Sequence, residues 1–110
     1  MRCLIRPLAR DDILRQYRYY LMPGAAPVAA QRFLKAVKET VTQVCRLPGI
    51  GRPTVLDNPK LTGLRSWPVK GFESIRIYYL SPKTEIRIVR VLHSKRDVNL
   101  MLEQDTSEDG

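Results

Sequence analysis

Histidine occurs once in the 110 residues, cysteine twice and tryptophan once, and no uninterrupted apolar run approaches the length of a membrane span. A lone His93 removes multi-histidine metal centres, and the carboxylates are scattered, so no metal and no cofactor are expected. Cys3 and Cys45 are too few and too far apart for a zinc site, and a single disulfide is unusual in a reducing compartment; both read as buried thiols. Arg2, Arg6 and Arg10 fall where a signal peptide carries its apolar stretch, so the expected location is cytoplasmic, away from the membrane. The length leaves no room for a second core, yet a chain of this size buries roughly 65% of its unfolded surface and needs no staple.

Charge is plentiful and uneven. The chain has 19 basic and 11 acidic residues. Four of the acids, Glu103, Asp105, Glu108 and Asp109, lie in the final eight residues, leaving residues 1–102 with 19 bases against 7 acids, a net of +12. Such a body attracts polyanions, whether nucleic acid or an acidic protein segment, although a solvated basic face that serves solubility accounts for the same count. The organisation expected is one domain over residues 1–102 and an acidic, disordered tail over 103–110.

Periodicity supplies the elements. Arg2 to Arg6 alternate as a short strand that Pro7 ends. Ala9, Ile13, Tyr17, Tyr20 and Leu21 recur at helical spacing, with Asp11 and Asp12 in the first turns where carboxylates complement the helix dipole. Two prolines and a glycine between Met22 and Pro27 break this helix. A second begins near Pro27 and carries the stripe Ala30, Phe33, Leu34, Val37, Val41, Val44 and Cys45. Helices joined so briefly pack antiparallel, and their hairpin needs a sheet beneath it.

After Leu47–Pro53 and a polar loop through Lys60, the runs Leu64–Val69, Ser74–Leu80 and Glu85–His93 read as an antiparallel meander with short turns. The last run carries Ile86 and Ile88 on one parity and Val89, Val91 and His93 on the other, so either a bulge shifts its register or both faces are covered; coverage is the preferred reading. A helix from Lys95 to Leu102 is expected to supply part of that cover. The fold class is α+β: an N-terminal strand at an edge or beside the last strand, an antiparallel helical hairpin, a three-stranded meander and a short C-terminal helix in two layers.

In this setting the run GLRSWPVKGFESIRIYYL followed by EIRIVRVLHSKRDV resembles the RelE/ParE toxins of type II toxin–antitoxin systems, with VLHSKRD and the LR-x-W-PV-x-GF element nearest the ParE branch. The resemblance takes in Leu8–Ile13, Ala30–Leu34 and the Pro48-Gly49-Ile50-Gly51-Arg52 turn, and reaches Asp97. It implies a cytoplasmic toxin that forms a hetero-oligomer with a ParD-like antitoxin. ParE-type toxins stabilise the cleaved-DNA state of DNA gyrase, so DNA is met indirectly, through gyrase and the antitoxin. RelE-type relatives instead cut messenger RNA on the ribosome.

Chemistry separates the two. Metal-free RNA cleavage needs a base for the ribose 2′-hydroxyl, cations for the phosphorane and an acid for the leaving oxygen. His93, Arg65, Arg76 and Arg90 are the candidates, yet by strand parity Arg90 and His93 point to opposite faces unless the strand is bulged, and no second histidine or placed glutamate completes the pair. The reading adopted is therefore non-enzymatic, with His93 a strand-end histidine bonded near Arg96 and Asp97. Residues expected to meet the antitoxin are Arg65, Trp67, Arg76, Tyr78 and Arg90, with an acid-bearing segment lying between hairpin and sheet. Those expected to meet the target are His93, Lys95, Arg96 and Asp97. Arg65 has an internal alternative, an ion pair with Asp97 or Glu73, and Trp67 is either a sheet-covering aromatic or a docking platform. Tyr17 and Tyr20 fit the buried stripe and only Tyr19 is left free, so helix packing explains these tyrosines better than base stacking.

Overall fold

The computed structural model describes residues 2–24 and 27–105. Strand β1 (Arg2–Ile5) passes through Arg6 into helix α1 (Pro7–Tyr20), and α2 (Pro27–Arg46) follows. The second half holds a two-residue strand β2 (Arg52–Pro53), a 3-10 turn (Pro59–Leu61), β3 (Arg65–Val69), β4 (Phe72–Leu80), β5 (Glu85–His93) and helix α3 (Val98–Glu103). Pro7 stops the strand as expected and also sits in the first turn of α1, where its missing N–H has no helical partner to lose.

The sheet runs β1-β5-β4-β3-β2, with β1 parallel to β5 and the other pairs antiparallel. The first strand is thus both at an edge and beside the last. The two readings of β5 also turn out to be compatible. Tyr78 pairs with Arg90 but Tyr79 pairs with Ile88, so Val89 is the extra residue of a bulge. The bulge sends Ile86, Ile88 and Val91 to one face and Val89 and Leu92 to the other, and both faces are covered.

On the hairpin side, Ala9 of α1 and Phe33, Val37 and Val44 of α2 meet Ile75, Ile77, Tyr79, Ile86, Ile88 and Val91. Each fully buried large aliphatic or aromatic side chain contributes about 1.5–3 kcal/mol relative to exposure. Tyr20, Phe33 and Phe72 add tilted and edge-on ring contacts at 5.5–5.8 Å where the hairpin meets the start of β4. The opposite face carries Tyr78, Leu80, Val89 and Leu92 under Leu61, Leu64 and Leu102, with Val98 and Met101 packed against them. The length was expected to leave no room for a second core, but this smaller one forms on the other face of the same sheet, closed by α3 and the 3-10 turn.

Several expectations need correction. Helix α3 starts at Val98 rather than Lys95, because Arg96 N–H donates to His93 O in a tight turn and Asp97 Oδ1 caps the helix by accepting from Leu100 N–H. Residues 103–105, placed by expectation in the disordered tail over 103–110, are packed: Glu103 is helical and Asp105 is buried, and Asn58 Nδ2 donates to the carbonyls of Leu102 (2.9 Å) and Asp105 (3.0 Å). The rest of that tail, 106–110, lies outside the described residues. Cys3 and Cys45 are not separate buried thiols. Cys3 is exposed, Cys45 half-buried, and a disulfide joins them with the Cα atoms 6.6 Å apart, tying the edge strand to the last turn of α2.

Asp12 has a different task from complementing the α1 dipole. It is buried, and its carboxylate accepts from Arg90 Nε (2.7 Å), Arg90 Nη2 (2.8 Å) and the Val91 N–H (3.0 Å). Pairing of β1 with β5 ends at Ile5–Ile88, so Asp12 supplies an acceptor to the β5 edge just where β1 runs out. The hydrogen bond to Asp12 holds the Arg90 guanidinium still further toward its charged form, against the opposing effect of burial.

Candidate functional site

The Pro48–Gly51 turn is fixed from the sheet. Tyr79 Oη donates to Pro48 O (2.7 Å) and accepts from Gly51 N–H (2.8 Å), while Arg65 Nη1 donates to Gly51 O (2.7 Å). A Cβ on Gly51 would collide with the Tyr79 ring and hydroxyl, so this glycine is required by close approach. Arg65 is therefore engaged with backbone carbonyls rather than with Asp97 or Glu73. Trp67, two residues along β3, donates from Nε1 to Gln43 Oε1 (3.2 Å) and packs against the hairpin-side core. It lines a cleft of about 400 Å³ between α2 and β3 with Glu39, Thr40, Pro68, Lys70 and Glu73. Carboxylates border that cleft as well as a lysine.

The other residues expected to meet an antitoxin lie elsewhere. Arg76 donates to Ser66 Oγ (3.1 Å) and Ser66 O (3.3 Å), and pairs across the sheet with Leu92 of the smaller core. Tyr78 is part of that core, and burial raises its phenol above its ordinary value, with Arg76 opposing. Arg90 is held by Asp12. The five thus divide between the two sheet faces and the β5 edge.

His93, Lys95 and Arg96 do come together. The turn that places Arg96 N–H on His93 O also puts the Lys95 N–H on His93 Nδ1 at 3.1 Å. An imidazole that accepts at Nδ1 carries its proton on Nε2, which is left as a donor. These three residues line a cleft of about 300 Å³ with Gln16, Tyr19 and Tyr20 from the C-terminal half of α1. Asp97, the fourth residue of the expected target-binding group, is turned to capping α3. On the other side of His93 a second hollow holds Tyr20, Phe72, Glu73 and Ser74, but the Glu73 carboxylate accepts from Gly71 N–H at 2.7 Å. Gln16 and Tyr19 carried no motif, and the one sequence signal for Tyr19 was that it lies off the buried stripe.

Of the four candidate catalytic residues, His93 alone reaches this cleft. His93 pairs with Ile75 and Arg65 with Tyr79, four residues apart on β4, or about 13 Å along the strand. Arg76 is on the opposite face, and Arg90 is 8% exposed in its ion pair with Asp12. Among the described residues no three or more His, Cys, Asp or Glu side chains gather as a metal site, and no helix is long and apolar enough to cross a membrane.

The architecture is that of a small α+β domain with a helical hairpin on one face of its sheet and basic residues at one end of its last strand. Residues 4–98 match the family model for the ParE toxin of type II toxin–antitoxin systems, parDE, and the chain belongs to that family. Among solved structures, it is similar to a chain of the chromosomal ParDE toxin–antitoxin system from P. aeruginosa, with 18% identity and a TM-score of 0.67 over 84% of this chain and 95% of that one. It also resembles a chain of the YoeB–YefM complex from Staphylococcus aureus, at 21% identity and TM-score 0.50 with the same coverage, 84% and 95%. No curated protein matches.

Proposed function

We propose that this ParE-family toxin acts in the cytoplasm as a binding protein, docking on DNA gyrase and stabilising its cleaved-DNA complex, and that a ParD-like antitoxin restrains it. The observation that carries the reading is the dispersal of His93, Arg65, Arg76 and Arg90. Three of the four are engaged in fixing a turn, a strand pair and a sheet edge, so a catalytic set for RNA cleavage does not converge. Target docking is assigned to the end of β5, where His93, Lys95 and Arg96 share a cleft. Antitoxin docking is assigned to the cleft between α2 and β3, with Trp67 as its aromatic contact and Lys70 as its cation. The similar P. aeruginosa chain comes from a ParDE toxin–antitoxin system, which supports an antitoxin partner.

Purified protein incubated with gyrase, ATP and supercoiled plasmid tests the proposal. Covalent gyrase–DNA complexes should accumulate with the toxin and fall when the antitoxin is added. If no such complexes form, and translating ribosomes instead yield codon-positioned messenger cuts that are lost in His93→Ala, the reading is wrong. An inert protein that still captures its antitoxin would identify an inactive family member.

A further inference from the structure

The cleft at the end of β5 differs from the cleft between α2 and β3 in what its polar groups are doing. Between α2 and β3, Trp67 and Gln43 bond each other and Thr40 bonds Ala36 O and Lys70 N–H. In the His93 cleft, the side chains of Lys95, Arg96 and Gln16, the hydroxyls of Tyr19 and Tyr20 and the Nε2 of His93 have no partner among the described residues. Every lining residue can donate a hydrogen bond, two are cations, and none is a carboxylate. Such a wall accepts an anion with several oxygens.

The second feature is aromatic. Tyr19 is 60% exposed, and its ring meets that of Tyr20 in an edge-type contact with centroids 5.6 Å apart. Burial therefore does not account for this ring, which stands at the mouth of a cationic cleft. Cations beside an open aromatic face are the two elements that bind a base and its phosphate. The cleft, at about 300 Å³, lies at the small end of ligand sites, and a base reaches a tyrosine face only when unstacked.

We propose that this cleft binds single-stranded nucleic acid, with one phosphate held by Lys95, Arg96 and His93 Nε2–H and the adjoining base stacked on Tyr19. The chain then touches nucleic acid itself rather than through gyrase alone. The site is the docking cleft proposed above and takes its biological setting from that reading, but binding is measured on the isolated chain, so failure of either proposal leaves the other standing.

The test is fluorescence anisotropy with a labelled twelve-nucleotide thymidine strand and, in parallel, inorganic polyphosphate as competitor. Lys95→Ala/Arg96→Ala should weaken binding about ten-fold or more and flatten its salt dependence, whereas Lys35→Ala/Lys38→Ala, which removes the same charge from the exposed face of α2, should change it less than about two-fold. Tyr19→Ala should weaken the strand by about ten-fold without altering competition by polyphosphate, and Tyr19→Phe should retain binding. All these side chains are exposed, and an unchanged thermal midpoint verifies that each variant folds. Equal losses in the two double variants would reduce the effect to overall charge and overturn the proposal. So would a Tyr19→Ala protein that binds the strand as tightly as the parent.

Discussion

Asp12 carries more of this structure than its place in the sequence suggests. In the pattern DDIL it is one of two adjacent acids near a helix start, a position with an ordinary explanation in the helix dipole. Its real partners, Arg90 and the Val91 N–H, are 78 and 79 residues away, and no local rule connects them. The same holds for Tyr79, whose hydroxyl reaches Pro48 and Gly51 from the middle of an apolar run. Long-range polar bonds leave little trace in one sequence, because periodicity reports which face is apolar and not which buried group meets which. Replacing Asp12 by alanine strands a guanidinium that is 8% exposed together with a β5 edge N–H. The expected loss is about 3–5 kcal/mol, the cost typical of breaking a buried pair by removing one partner, read as a fall in the urea midpoint. A loss below about 1 kcal/mol would mean that water replaces the carboxylate and that the edge is open.

At the scale of elements, the helices and the meander were legible because their signals are long. Fourteen residues of α1, twenty of α2 and nine each of β4 and β5 give periodicity room to register. The two-residue β2 and the three-residue 3-10 turn are too short to carry a pattern, and α3 loses its first expected turn to the His93–Arg96 turn that shapes the candidate site. The Cys3–Cys45 bond was likewise invisible, since spacing says nothing about which strand edge meets which helix end. That bond spans 42 residues and encloses the whole hairpin, while β1 is otherwise held to the sheet only along β5. A loop of this length stabilises by about 2–4 kcal/mol when closed. Reduction, or the double substitution Cys3→Ser/Cys45→Ser, should therefore lower the thermal midpoint by roughly 10 °C. Two titratable thiols in the unreduced protein, or a midpoint indifferent to reductant, would show that the cross-link does not form.

For the whole molecule, the two cores lie on opposite faces of β4 and β5, and each buries a tyrosine of β4. Tyr78 faces the α3 side and Tyr79 the hairpin side, in adjacent positions on β4. Burial pushes both phenols above the ordinary value of 10.0. Arg76 opposes this at Tyr78, and the Gly51 hydrogen bond and Arg65 oppose it at Tyr79. A group whose folded pKa is raised binds its proton more tightly in the native state, so its contribution is complete below the unfolded pKa and is lost as pH climbs from about 10 through the folded value. Lysines lose charge over a similar range, which relieves repulsion in a chain of net charge +8 and works in the opposite direction. The difference between two proteins isolates the phenol. Urea midpoints measured from pH 8 to 11 should fall above about pH 10 in the parent and fall less steeply in Tyr79→Phe, although that variant starts lower, having lost the bonds to Pro48 and Gly51. Parallel curves would place the alkaline weakness elsewhere. A shallower curve in the variant would tie it to the one hydroxyl that joins the sheet to the Pro48–Gly51 turn, on a strand whose two faces line both cores.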